Sequence, residues 1–145
     1  MVTVPLSLIT SKKFLVKNLV MASVLGCLSV VLGAFGAHAL EEVLSPESLK
    51  SYETGVRYMM VHSIVVLILN ASPGLLEQKT RNVLSLLFFF GILLFSGSIF
   101  AINLDLLEAR NIWFITPLGG LLLISGWVGM ALAFFQKLKK SKGAA

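Results

Sequence analysis

The chain reads as an all-α integral membrane four-helix bundle, with a short amphipathic interfacial helix between spans 1 and 2. Three observations carry that expectation. Apolar residues make up 57% of the 145 positions and charged residues 13%, with a mean hydropathy of +0.90. A soluble domain carries about 25% charge, so too little polar surface is left to clothe a water-soluble globule. The apolar residues also gather into four blocks, each near the roughly 20 residues that cross a bilayer as a helix. Finally, most of the basic residues fall on one side of the topology those blocks define. A soluble enzyme, a secreted disulfide scaffold and a disordered regulator are excluded.

The blocks place spans at about 18–40, 56–72, 82–104 and 113–135, within one domain of residues 18–136. A tail of residues 1–17 precedes it and a basic tail of residues 137–145 follows. Backbone groups in lipid must pair within their own segment, so helices are expected rather than strands. The first block has lysines before it and Ala37-His38-Ala39 near its end, which imitates a cleavable signal. Its apolar run exceeds the 7–15 residues of a signal core, so the block is expected to stay as a span. Cys27 is the single cysteine and is expected to be a small core or helix-contact residue.

The connection at 41–55 has its own pattern. Ser45-Pro46-Glu47 supplies an N-cap, a proline at the first helical position and an acid in the first turn. Leu49, Tyr52 and Val56 then recur at helical spacing, which points to the interfacial helix. Glu53 and Arg57, four apart with the acid first, form a possible rim pair. Pro73-Gly74 ends the second span. Thr116-Pro117 repeats the cap-then-proline device, which starts the fourth helix at Pro117, with Trp113 as an interfacial anchor.

With four spans, both tails and the second loop share a side. That side holds Lys12, Lys13, Lys17, Lys79, Arg81, Lys137, Lys139, Lys140 and Lys142 against Glu77, a balance of +8. The other holds Lys50, Arg57 and Arg110 against Glu41, Glu42, Glu47, Glu53, Asp105 and Glu108, a balance of −3. Positive charge stays in the cytoplasm, so both termini are expected there, in the cell inner membrane. Nine of the twelve basic residues on one membrane side are an orientation signal, and no nucleic-acid partner is expected. Membrane lipid, another membrane protein or a second copy are the expected partners.

Small residues at Ala22, Gly26, Ser29, Gly33 and Ala37 share one face of the first span, with Gly97, Ala101, Ser125, Gly129 and Ala133 continuing the theme. Close backbone approach at such faces holds membrane helices together. Counted from the outer ends of the spans, His38, Tyr58, His62, Ser96, Ser98 and Thr116 gather in the outer half, while the inner half keeps little beyond Asn70, Ser85 and Ser125. Unpaired polar groups in lipid are costly and seek one another. The plain reading of the cluster is a hydrogen-bond network that fixes helix register. The functional one is a ligand, ion or proton site.

Two histidines on neighbouring helices also allow a bis-histidine haem and an electron carrier, although no cofactor is the simpler expectation. No third ligand lies at their depth for a metal site, and no catalytic motif is visible. A non-enzymatic binding or accessory component is therefore expected first, and an oligomeric transporter or channel element second.

Several motifs occur in order: Gly33-Ala34-Phe35-Gly36-Ala37-His38-Ala39-Leu40, Thr54-Gly55-Val56-Arg57-Tyr58 with His62, Phe95-Ser96-Gly97-Ser98, and Thr116-Pro117-Leu118-Gly119-Gly120 with Gly126-Trp127. Together they resemble the YgdD-type small integral membrane proteins of bacterial inner membranes, to which a small eukaryotic membrane protein is related. The likeness covers about residues 20–135. It implies a four-span bundle and brings no biochemical activity, since the family is one of unknown function. Members often carry a tyrosine just after Phe-Ser-Gly-Ser, where this chain has Ile99-Phe100.

Overall fold

A computed structural model describes residues 6–142, and the side chains of residues 13–141. The elements are α1 (Leu6–His38), α2 (Pro46–Ala71), α3 (Gln78–Asn103), α4 (Ala109–Ile112) and α5 (Ile115–Lys142), with no strand among the described residues. Four of them are long and apolar enough to cross a membrane, over Lys13–His38, Pro46–Ala71, Gln78–Asn103 and Ile115–Ser141. At 1.5 Å per residue each spans about 39 Å. That exceeds the roughly 30 Å hydrocarbon core and carries the helix ends into the headgroups.

Local chemistry sets the helix ends. Ser45 caps α2, its hydroxyl accepting from the Ser48 N–H at 3.2 Å, with Pro46 and Glu47 in the first turn. From there α2 runs unbroken to Ala71. The expected separate interfacial helix is instead the opening turns of α2, and packing explains why. Tyr52 is fully buried and donates its hydroxyl to the Leu32 carbonyl of α1 at 3.1 Å. Gly55 lies against Phe100 of α3. These turns are committed to the bundle.

The fourth spanning helix begins at Ile115, so Thr116 lies in its first turn rather than capping it, and Pro117 sits where a missing N–H is tolerated. At the end of α3 the Asp105 N–H bonds to the Ile102 carbonyl and the Leu106 N–H to the Ala101 carbonyl. This is a Schellman turn, with Asp105 taking the left-handed φ of 53° in place of glycine.

Successive spanning helices run antiparallel, α2 between α1 and α3, and α3 between α2 and α5. The α3–α5 seam is built on glycine. Leu123 seats on Gly91, Phe88 on Gly126, Phe95 on Gly119 and Leu84 beside Gly129. A Cβ at Gly119 would strike the Phe95 backbone itself, so the two helices touch main chain to main chain there. Leu84, Gly91 and Ser98 on α3, and Gly119, Gly126 and Ala133 on α5, recur every seven residues, the period of a coiled-coil seam.

The small face of α1 packs on α2, where Gly26 meets Ser63, Gly33 meets Val56 and Ser29 meets Met60; at its end the contact is made by Gly36 against Tyr52, while the expected Ala37 is exposed. Cys27 and Ser125 are exposed and Gly97 has open space beside it, so these three are not packing contacts. The core is Ala22, Met59, Val66, Phe88, Phe89, Ile92 and Leu123. Each edge helix leans on one main neighbour, which leaves a gap between α2 and α5 and another between α1 and α3.

Candidate functional site

The helix register shows where each expected polar residue lies. His62 is buried, and its neighbour Ser63 meets Gly26, half-way along the spanning part of α1. Because α2 starts ten residues before the expected span, His62 is deeper than a count from Val56 places it. His38, at the far end of α1, is exposed. Gly36 lies level with Tyr52, so the two histidines are separated by roughly 18 Å along the bundle at the helical rise. They do not face each other across one iron.

Both ring nitrogens of His62 are engaged. Nε2 lies 3.2 Å from Trp127 Nε1, and indole N–H donates only, so Nε2 accepts. Nδ1 lies 2.7 Å from the Tyr58 carbonyl, which accepts only, so Nδ1 carries the proton. The ring is thus the neutral Nδ1–H tautomer, and it bridges α2 to α5 where the backbones stand apart. Phe88 and Trp127 meet edge to face at 6.0 Å beneath it, and Tyr58 stacks on Phe95 at 4.5 Å.

Nearer the acidic end, Ser98 and Thr116 join α3 to α5 through hydroxyls 2.6 Å apart. The Ser98 hydroxyl donates to the Phe95 carbonyl at 3.0 Å, so Thr116 supplies the proton between them. Ser96 is fully buried, and its hydroxyl has no protein partner. The six expected residues therefore divide into a His62–Tyr58 group, a Ser98–Thr116 pair, an isolated Ser96 and an exposed His38.

Glu53 and Arg57 form no ion pair; among the described residues Arg110 and Glu108 form one, at 2.6 Å. Both instead border a cleft of about 230 Å³ against Gly33 and Gly36. Arg57 also reaches the larger feature, a groove of about 500 Å³ between α2 and α5 bordered by Tyr58, His62, Phe95, Gly120 and Trp127. Its walls are mainly apolar, with a cation at one end and a hydrogen-bonded imidazole–indole pair in its side. Among the described residues no three His, Cys, Asp or Glu side chains gather as metal ligands.

A second polar layer lies toward the basic end. Asn18 of α1 donates to Asn70 of α2 at 3.1 Å and to Asn82 of α3 at 3.4 Å. Asn70 in turn donates to Ser85 of α3 and to the Val66 carbonyl, both at 2.9 Å. Arg81 is buried and binds the Pro73 and Leu76 carbonyls, folding the 72–77 turn around its guanidinium. Asn18 and Asn82 open their apolar blocks and read as flanks, which hid them; four amide or hydroxyl groups at matching heights near one end were the available signal. Trp127 was hidden because an indole counts as apolar.

A family model described as a protein of unknown function, DUF423, matches residues 32–120, which contain all six of the expected polar residues. A UPF0382 membrane protein of Haemophilus influenzae is 39% identical over 122 residues, 83% of this chain and 94% of the relative. The UPF0382 membrane protein YwdK of Bacillus subtilis is 32% identical over 83% of this chain and 97% of its own. The UPF0382 inner membrane protein YgdD of Escherichia coli is 31% identical over 84% of this chain and 92% of its own. No solved structure matches the chain. Four apolar helices of spanning length and relatives named as membrane proteins agree, and the chain belongs to the DUF423/UPF0382 family of multi-pass membrane proteins.

Proposed function

We propose that this protein is a non-enzymatic binding component of the bacterial inner membrane, which takes an acidic amphiphile sideways from the outer leaflet into the groove between α2 and α5. The observation that carries the reading is the groove itself, about 500 Å³ with Arg57 at one end and His62 and Trp127 in its wall. Pockets of this size are typical for small ligands, with few polar groups in a mainly apolar lining. The orientation that sets this groove in the outer leaflet rests on charge: Lys13, Lys17, Lys79, Arg81, Lys137, Lys139 and Lys140 stand at one end, with both termini cytoplasmic.

No cofactor enters the reading. A conducting path through one bundle is disfavoured, since Val66 and Phe88, both fully buried, lie between the His62 and Asn70 layers. Binding is the role this leaves for the polar groups of the outer half.

Gly120 provides the test. A Cβ there meets Phe95 at 3.7 Å, an ordinary contact, so Gly120→Leu fills the groove without forcing helices apart. Protein from native membranes in mild detergent is expected to carry a co-purifying acidic amphiphile, identified by mass spectrometry. Gly120→Leu loses it, and Arg57→Gln lowers its occupancy about fivefold, the equivalent of one cation near a charged headgroup. Equal recovery from all three proteins overturns the reading.

A further inference from the structure

Away from that groove, at the basic end, α1 and α3 diverge around a trough of about 440 Å³. Its polar lining is confined to one end, where Lys17, Asn18 and Asn82 stand; the rest is apolar, with Met21, Val24 and Leu86 among its walls. From Asn82 to Leu93, its last residue on α3, is about 16 Å at the helical rise. Half of a bilayer core is about 15 Å. The trough therefore runs from headgroup level to mid-membrane, the depth of one leaflet.

The charge around its mouth has one sign. Lys17 lines it, Lys13 stands one turn earlier on α1, and Lys79 one turn before Asn82 on α3, all three exposed. Among the described residues no carboxylate borders the trough. Arg81 is turned into the 72–77 loop carbonyls, and Glu77 borders a separate cavity with Lys137 and Lys140. The Asn82 oxygen already accepts from Asn18, which holds that side chain at the mouth and leaves its NH2 group to donate. A cationic, amide-bearing mouth above an apolar channel one leaflet deep matches a phospholipid: phosphate at the lysines, ester oxygens at the amide, one acyl chain below.

We propose that the trough between α1 and α3 is a binding site for one anionic phospholipid of the leaflet at the basic end, with Lys17 holding its phosphate. The site is separate from the groove between α2 and α5 and does not depend on how that groove functions.

The full-length protein is equilibrated in detergent with equal phosphatidylglycerol and phosphatidylethanolamine of the same chain length, and retained lipids are counted by native mass spectrometry. Wild type is expected to keep phosphatidylglycerol in preference to phosphatidylethanolamine, and Gly120→Leu, whose α2–α5 groove is filled, to keep one molecule of it. Lys17→Gln, a change at an exposed position, reduces that preference about fivefold. Leu86→Trp, which fills the trough, removes the retained lipid while circular dichroism shows the helices intact. Lys139→Gln, which removes an exposed cation at the same end but outside the trough lining, leaves the preference unchanged. Equal retention of both lipids, or a preference that survives Lys17→Gln, overturns the proposal. A preference lost in Arg57→Gln but kept in Lys17→Gln also overturns it and moves the anion site to the other groove.

Discussion

The two polar layers of this bundle solve the same problem in opposite ways. At the basic end Asn18, Asn70, Ser85 and Asn82 tie three helices together through one connected set of bonds. Asn70 and Ser85 are almost wholly buried. Toward the acidic end the polar groups stay in pairs, His62 with Trp127 and Ser98 with Thr116, and a groove opens between α2 and α5. In the closed layer Asn70 and Ser85 find their partners inside the protein, so their chemistry is spent on holding helices, and only at its edge does Asn82 keep an NH2 group facing the trough. The open layer keeps apolar space beside its polar groups, which is what a binding site requires.

Asn70 is where the contrast is most easily broken. Asn70→Ala deletes two interhelical bonds and leaves Asn18 and Ser85 short of a partner, at an expected cost of about 2 kcal/mol. Unfolding in mixed detergent micelles measures it, and the Asn70→Ala/Ser85→Ala double variant is expected to be less destabilised than the sum of its singles. Trp127→Phe keeps the ring packing and removes one bond, for about 0.6 kcal/mol, the average of such bonds in membranes. Combined with Ser98→Ala its effect is expected to add, because the two pairs share no partner. Glu53→Gln is expected to change stability by less than about 0.5 kcal/mol, since no ion pair is lost. A larger loss would assign Glu53 an interaction this structure lacks.

Hydropathy made the four spans legible because lipid imposes the same demand on every residue of a span. The helix ends were less so. α1 continues outward through Lys12 and Lys13 to Leu6, since lysine is a good helix former and water places no limit on the helix. Ser45-Pro46 marked the true start of α2, but Tyr52 looked like an interfacial residue, and only packing on α1 shows that it points inward. In the candidate site, the shared face of Tyr58 and His62 followed from spacing, while depth set Ser98 and Thr116 in one cluster without pairing them. The height of His62 did not, because helix register depends on which glycine receives which side chain. Trp127 and the Asn18–Asn82 contact join residues more than sixty positions apart, and a periodicity within one helix carries no trace of them.

The seam between α3 and α5 has a bearing on how the molecule comes apart. Gly91 and Gly126 each receive a large side chain of the other helix and Gly119 meets the Phe95 main chain, so these two helices form a tightly meshed hairpin. α1, by contrast, is held mainly by small faces against α2 and by the amide at Asn18. Under mechanical pull or harsh solubilisation, the first segment should peel away as a strip while the last two withdraw together, and a protease trapping such an intermediate would find its cuts between residues 39 and 45.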